Sequence, residues 1–103
     1  MIEINALSRR VYVDGVEVDL GKYQFRMLVY FATHPDKLFD RQYLLDKVWG
    51  PDIMITEQSV NGHICAIRRQ LGKYRRLIKS IQGEGYRLEP NVCEVRVITK
   101  EEK

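Results

Sequence analysis

Apolar and polar residues alternate in the N-terminal part of the chain, which is the pattern of half-buried β-strands. Every second position is apolar in residues 2–5, and the same alternation runs on both sides of Asp14-Gly15. An Asp-Gly pair suits a tight hairpin turn, because both central positions of a type I′ turn need a positive φ. The pattern therefore predicts a small antiparallel β-meander over residues 1–20.

From Lys22 onward the apolar positions recur with a helical period, and two helices are predicted. The first ends at His34, because the residue before a proline disfavours the α region. The second begins after Asp40, whose side chain suits an N-cap, and ends at Gly50. Residues 38–39 are expected to form a short extended bridge between the two helices.

A third helix is predicted over residues 56–72, with Thr56 as its N-cap and Gly72 as its C-terminal glycine. Its apolar residues are spaced at i, i+4, i+7 and i+11 and form one stripe: Val60, Ile64, Ile67 and Leu71. A single apolar stripe is typical of a helix that packs one face against a core and leaves the opposite face in solvent.

Residues 78–89 predict a β-hairpin that turns at the glycine-flanked sequence Gly83-Glu84-Gly85. Residues 91–103 predict one more strand followed by a charged tail. The sequence contains no internal repeat and no linker long enough to separate two domains. Together these elements predict an α+β fold with an N-terminal antiparallel β-sheet, three helices and a C-terminal β-hairpin.

The chain of 103 residues, with 45% apolar and 30% charged residues, has the size and balance of one globular domain. Its longest apolar run, residues 27–32, is far shorter than the roughly 18 residues that a membrane span needs. The N-terminus has no secretory signal pattern, and the two cysteines, Cys65 and Cys93, form no Cys-x-x-Cys motif. We therefore expect a cytoplasmic domain that makes no membrane contact.

Positive charge is concentrated in the second half of the chain. Residues 1–58 carry 7 Lys and Arg against 9 Asp and Glu, whereas residues 59–90 carry 7 against 2, a net charge of +5. Such an asymmetry is consistent with a face that binds a polyanion, and equally with a solvated charged surface that has no partner. Charge alone leaves both interpretations open.

Catalytic and metal-binding chemistry is not expected from this sequence. His63 and Cys65 are two residues apart on a helix and point about 160° from one another, so they cannot chelate one metal ion or form a thiol–imidazole pair. No glycine-rich phosphate loop occurs, and the carboxylates are scattered along the chain. We therefore predict no enzyme activity, no cofactor and no metal site.

The solvent side of the third helix has the size and polarity of a DNA-reading surface. Opposite the apolar stripe lie Gln58, Gly62, Cys65 and Arg69, with Ser59, Asn61 and Ala66 at the sides. A major groove about 12 Å wide admits one helix, and a hairpin beside it can contact the backbone or a minor groove. The arrangement predicts a module that binds double-stranded DNA.

Motifs in all three helices and the hairpin occur together in a specific order and spacing. They are Phe25 with Leu28 and His34-Pro35, Arg41 with Leu44-Leu45, Val48-Trp49-Gly50, Ser59-Val60, His63-Ile64, Arg68-Arg69, Leu71-Gly72, Ile78-Lys79 and Gly83-Glu84-Gly85-Tyr86-Arg87-Leu88. On these motifs, residues 1–89 resemble the winged helix-turn-helix effector domain of OmpR/PhoB-type response regulators.

The resemblance implies a winged-helix DNA-binding domain over residues 1–90, with residues 56–72 as the recognition helix and residues 78–89 as the wing. It implies sequence-specific binding of double-stranded DNA by a bacterial transcriptional regulator of the two-component type. The recognition helix would enter the major groove and the wing would lie on the backbone or in the minor groove.

The resemblance also implies partners beyond a single DNA site. It implies tandem DNA half-sites, a homodimer on DNA, and a receiver domain that normally precedes such a domain. It further implies contact with RNA polymerase through a loop that contains Pro51, Asp52, Ile53 and Met54.

The predicted DNA-binding residues lie on the second helix, the third helix and the wing: Trp49, Gln58, Ser59, Asn61, Gly62, His63, Ala66, Arg68, Arg69, Ser80, Gln82, Tyr86 and Arg87. Asn61 is a candidate for pairing with adenine, Ala66 for contact with a thymine methyl group, and Trp49 for an indole N–H bond to a phosphate. For each residue, ordinary packing or a solvated surface position is the alternative. For the domain, the alternatives are a protein-interaction module on the same scaffold and the cytoplasmic domain of a membrane-anchored regulator.

Overall fold

The computed structural model of the protein describes residues 1–51 and 55–100. The strands are β1 (Ile2–Asn5), β2 (Arg10–Val13), β3 (Val16–Val18), β4 (Ile78–Ile81), β5 (Gly85–Leu88) and β6 (Val95–Ile98). The helices are α1 (Lys22–Thr33), α2 (Arg41–Leu44), which continues as a π-helical turn (Leu45–Trp49), and α3 (Glu57–Leu71), which continues as a 3-10 helix (Gly72–Leu77). The predicted α+β fold is confirmed, and within the described residues no helix is long and apolar enough to cross a bilayer.

The N-terminal sheet has the strand order β3-β2-β1-β6, so the predicted meander forms three of its four strands. β1 pairs antiparallel with β2, and β2 pairs antiparallel with β3. Asp14 and Gly15 both have a positive φ, 50° and 83°, as the turn between β2 and β3 requires. Ile2, Ile4 and Val11 are almost fully buried and form the inner face of the sheet.

The fourth strand, β6, comes from the C-terminal segment and lies parallel to β1. The backbone N–H of Ile2 donates to Glu94 O at 2.9 Å, and that of Ala6 donates to Ile98 O at 2.8 Å. The strand predicted within residues 91–103 therefore belongs to the N-terminal sheet. Its partner is almost a whole chain length away, so no local pattern specifies the pairing.

The second predicted helix is present, but its winding changes half-way. Asp40 Oδ1 accepts the backbone N–H of Tyr43 at 2.7 Å and caps α2 as predicted. From Leu45 the bonding is of the π type, and the N–H of Gly50 donates to Leu45 O at 3.1 Å. Trp49 is the last residue of this turn and is only 7% exposed.

α3 confirms the predicted third helix and its apolar stripe. Thr56 Oγ1 accepts the Ser59 N–H at 3.4 Å, and Gly72 follows the last residue of α3 with a positive φ of 58°. The four residues of the stripe are at most 1% exposed. They pack α3 against the other two helices and leave the opposite face in solvent.

The wing consists of β4 and β5 and is attached to the core through Phe39. The backbone N–H groups of Phe39 and Tyr86 donate to one another's carbonyl oxygens, each at 2.9 Å. Gly85 permits this close approach, because its φ is 139° and a Cβ at this position would overlap the carbonyl oxygen of Phe39. The predicted extended bridge at residues 38–39 thus holds the wing in place.

Candidate nucleic-acid interface

The side of α3 opposite its apolar stripe is open to solvent. Its exposed residues are Gln58, Gly62, Cys65 and Arg69. Its half-buried edges contain Ser59, Asn61, His63 and Ala66. A Cβ placed on Gly62 would find no atom within 4 Å, so no segment among the described residues covers the middle of this face.

One edge of the open face is joined to the wing through Asn61. The hydroxyl of Tyr86 donates to Asn61 Oδ1, and Tyr86 itself is 8% exposed. The carbonyl side of the amide is therefore turned toward the wing, and the two Nδ2–H donors are left for another partner. Donors held in one orientation suit acceptor atoms on a base edge or a phosphate.

Arg68 joins α3 to the wing at a second point. Its Nε and Nη2 donate to Ile78 O at 3.0 and 2.7 Å, and Nη2 also donates to Ser80 Oγ at 2.7 Å. Its guanidinium carbon lies 5.9 Å from the centre of the Tyr86 ring. This predicted DNA-binding residue therefore fixes the wing relative to α3, and those bonds use much of its donor capacity.

The other edge of the open face contains His63 and the buried Trp49. Gln24 Nε2 lies 3.3 Å from His63 Nδ1, so the Gln24 amide N–H can donate to the tautomer of the ring in which Nδ1 is unprotonated. The ring centres of His63 and Trp49 are 5.1 Å apart, and Trp49 stacks on Tyr23 at 5.1 Å. Sequence reasoning missed Gln24, because it lies 39 positions from His63 and has no local signal.

The tip of the wing, residues 82–84, is exposed and includes the predicted contact residue Gln82. Arg87, by contrast, is tied to nearby carboxylates. Its Nε lies 2.6 Å from Glu89 Oε1 and 3.9 Å from Asp36 Oδ1. These carboxylates offset much of the positive charge that the sequence placed on the wing.

A cleft of about 500 Å³ separates the wing from the N-terminal ends of α2 and α3. The charged side chains in its lining are three carboxylates and one arginine: Asp40, Glu57, Glu84 and Arg41. Among the described residues, no His, Cys, Asp and Glu side chains converge closely enough to hold a metal ion. Because like charges repel, this negative balance weakens the attraction of the cleft for a phosphate, although its lining also includes the uncharged predicted contact residues Ser80, Gln82 and Tyr86.

The loop predicted to contact RNA polymerase is described only at its ends. Pro51 is exposed at its start, and Asp52, Ile53 and Met54 lie outside the described residues. Ile55, at the other end, is half-buried and packs against the core.

Curated proteins match this chain over most of its length. The family described as "Transcriptional regulatory protein, C terminal" matches residues 15–88. The phosphate regulon transcriptional regulatory protein PhoB of Pseudomonas aeruginosa is 36% identical over 85 residues, which cover 82% of this chain and 37% of that protein. PhoB of Rhizobium meliloti is 37% identical over 90 residues, which cover 85% of this chain and 40% of that protein. The chain therefore spans well under half the length of these relatives.

Solved structures have the same fold. The DNA-binding domain of Bacillus subtilis CssR has a TM-score of 0.76 and 28% identity, over 85% of this chain and 99% of that one. The Klebsiella pneumoniae RstA DNA-binding domain, solved in complex with the RstA box, has a TM-score of 0.73 and 30% identity, over 84% of this chain and 89% of that one. With the family match, the shared fold and an open α3 face beside a wing, the chain belongs to the OmpR/PhoB-type family of C-terminal DNA-binding domains of transcriptional regulatory proteins.

Proposed function

We propose that this domain binds double-stranded DNA sequence-specifically, as the DNA-binding part of a bacterial transcriptional regulator of the two-component type. α3 enters the major groove with its open face, and the wing follows the adjacent backbone or the minor groove. The observation that carries the proposal is the uncovered face of α3 beside a wing that Arg68 and Tyr86 hold to it. Two contact elements held in a fixed geometry lose little freedom on binding, which favours affinity.

Residues at the middle and N-terminal end of the open face are the proposed base contacts: Gln58, Ser59, Asn61, Gly62 and Ala66. Gly62 lets the helix backbone approach the bases closely, and Ala66 offers a methyl group to thymine. Because Tyr86 already donates to Asn61 Oδ1, the amide presents N–H donors. Acceptor atoms such as guanine O6 and N7 match these donors better than the mixed edge of adenine.

Residues around the rim of the open face and on the wing are the proposed backbone contacts: Trp49, His63, Arg68, Arg69, Ser80, Gln82, Tyr86 and Arg87. Arg69 is exposed, so its charge is fully available to a phosphate. Arg68 and Arg87 already have protein partners, and we expect them to orient the DNA more than to attract it.

We further propose that the regulator binds tandem half-sites as a homodimer and contacts RNA polymerase through the loop that begins at Pro51. One α3 per chain reads only a short half-site, so two chains are needed for a longer sequence. The exposure of Pro51, between the second helix and α3, supports a partner contact beside the bound DNA.

The substitution Gly62→Glu tests whether α3 enters the groove. The new side chain has room, because no atom lies within 4 Å of a Cβ at Gly62, and its charge would face the phosphates. We expect a loss of duplex affinity of about tenfold or more in a gel-shift titration, with an unchanged circular dichroism spectrum.

Ser8→Glu is the matched control, because it adds the same charge at an exposed turn of the N-terminal sheet. We expect it to bind duplexes nearly as the wild type does.

Duplexes that the wild type selects from a random pool should share a repeated half-site. If Gly62→Glu bound duplexes with the affinity of the wild type, DNA would lie on another surface and the proposal would be overturned.

A further inference from the structure

The seven basic side chains within residues 59–90 differ in whether they have hydrogen-bond or ion-pair partners in the protein. Three have partners within the described residues: Arg68, Lys73 and Arg87. The other four are exposed and make no hydrogen bond or ion pair with any residue that the structure describes: Arg69, Arg75, Arg76 and Lys79. Unpaired cations on one surface repel each other, so a bound polyanion would stabilise them.

Three of the four unpaired cations line one open groove of about 610 Å³. Arg75 and Arg76 come from the 3-10 helix that follows α3, and Lys79 comes from β4. Arg68 lies in the wall that the groove shares with α3. This wing-base groove therefore collects four positive side chains from three successive elements.

The only carboxylate among the described lining residues of the wing-base groove is Glu89. It lies 2.6 Å from Arg87 Nε and is therefore already paired with another cation. The cleft on the tip side of the wing has the opposite balance, with three carboxylates in its lining. A polyanion that passes the wing is thus attracted to its base.

We propose that the wing-base groove binds the phosphodiester backbone of duplex DNA that flanks the segment read by α3, an inference that rests on the proposed function. The 3-10 helix continues directly from the C-terminal end of α3. α3 has 15 residues and is about 22 Å long, less than the roughly 34 Å of one turn of DNA. Arg75 and Arg76 follow the C-terminal end of α3 directly, so they are placed to meet phosphates of the duplex beyond the segment that α3 reads.

The test removes the three unpaired cations of the groove and measures the salt dependence of duplex binding. The wing-base variant carries three substitutions: Arg75→Gln, Arg76→Gln and Lys79→Gln. The control variant removes three exposed charges at one end of the N-terminal sheet: Arg9→Gln, Arg10→Gln and Lys100→Gln.

Each phosphate contact contributes about 0.9 to the slope of log affinity against log salt concentration. We expect the wing-base variant to lower the magnitude of this slope by about 2 to 3 and to select the same base sequence as the wild type. We expect the control variant to change neither quantity. The single charge reversal Lys79→Glu should weaken binding in the same salt-dependent way, and thermal unfolding checks that each variant is folded.

An unchanged slope in the wing-base variant and in Lys79→Glu would overturn the proposal and favour an acidic protein segment as the occupant. A changed base preference would also overturn it, because it would place these residues on base edges. Gly62→Glu separates this inference from the proposed function. Loss of binding in Gly62→Glu together with an unchanged slope in the wing-base variant would overturn only the proposal for the wing-base groove and would leave the proposed function in place.

Discussion

The β2–β3 hairpin and the wing are both antiparallel ladders, and the contacts that hold them differ in kind. The turn of the β2–β3 hairpin is held by exposed charged groups around Asp14. Its carboxylate accepts from Lys73 Nζ at 2.8 Å, from the N-terminal amine of Met1 at 2.6 Å and from the hydroxyl of Tyr74 at 2.8 Å. Contacts of this kind weaken when salt is added or the carboxylate is protonated.

The wing is held by groups that are largely out of solvent. Its backbone pairs with Phe39, its Tyr86 hydroxyl bonds to Asn61, and its Ile78 carbonyl accepts from Arg68. Such bonds are little affected by salt, and removing one leaves a buried polar group unpaired. The element proposed to contact DNA is therefore oriented by largely buried contacts with the helices, whereas the turn of the N-terminal hairpin is oriented by exposed ionic contacts.

The largest expected effect comes from Gly85→Ala in the wing. Its φ of 139° disfavours alanine, and the new Cβ would overlap the carbonyl oxygen of Phe39. We expect the free energy of unfolding to fall by about 3 kcal/mol or more. Gly15→Ala is the counterpart in the other hairpin, where φ is 83° but nothing lies within 4 Å of a Cβ, and we expect a loss of about 1 kcal/mol. Urea denaturation measures both, and equal losses would contradict the distinction.

An intermediate effect is expected from Arg68→Met. The variant keeps an apolar side chain of similar length but removes both donors to the buried Ile78 carbonyl. We expect the free energy of unfolding to fall by about 1–3 kcal/mol, equally at low and high salt. Arg69→Met is the control, because this exposed neighbour should change stability by less than about 0.5 kcal/mol while lowering duplex affinity. The prediction fails if both variants are equally stable.

The smallest effect is expected from Asp14→Asn. Hydrogen bonds from Lys73, from the N-terminal amine and from Tyr74 hold the pKa of Asp14 well below its usual range. A carboxyl whose pKa is lowered by folding stabilises the protein above its unfolded pKa of about 3.9, and this contribution is lost as the pH falls toward the folded pKa. The difference in the free energy of unfolding between the wild type and Asp14→Asn should therefore become smaller below about pH 4. At neutral pH, it should also become smaller when salt is added.

Thermal unfolding midpoints of the wild type and Asp14→Asn across this pH range provide the measurement. A difference that stays constant with pH would show that the carboxylate charge does not hold the turn. The same series on Arg68→Met should show no such dependence, which sharpens the contrast between the two hairpins.

Local signals were sufficient for most elements of the fold. The Asp14-Gly15 turn, the helix end at His34 and the Asp40 cap each depend on residues within four positions, and all three were predicted. The π-helical turn at Leu45 and the pairing of β6 with β1 were not predicted. β6 and β1 are 93 positions apart at Ile2 and Val95, so no sequence window contains both. The apolar pattern that predicted the second helix carries no signal for the bond from Gly50 to Leu45 that makes its last turn π-helical.

The candidate interface likewise has some features that local sequence signals predict and others that depend on contacts between distant segments. The period of α3 alone placed Gln58, Gly62 and Arg69 on its outer face, since the apolar stripe dictates which side is buried. The bond from Tyr86 to Asn61, and the contact of Gln24 with His63, join residues 25 and 39 positions apart. These contacts follow from the way the wing and α1 pack against α3.

Side-chain periodicity was enough to predict the order of strands and helices and the side of α3 that faces solvent, because it follows directly from backbone geometry. Which basic side chains remain available to a polyanion depends instead on how the chain folds. Arg68 and Arg87 acquired protein partners, whereas Arg75, Arg76 and Lys79 came together along one groove. The reason is that a charge can be offset or reinforced only by groups within a few ångströms, and packing brings those groups from distant parts of the chain.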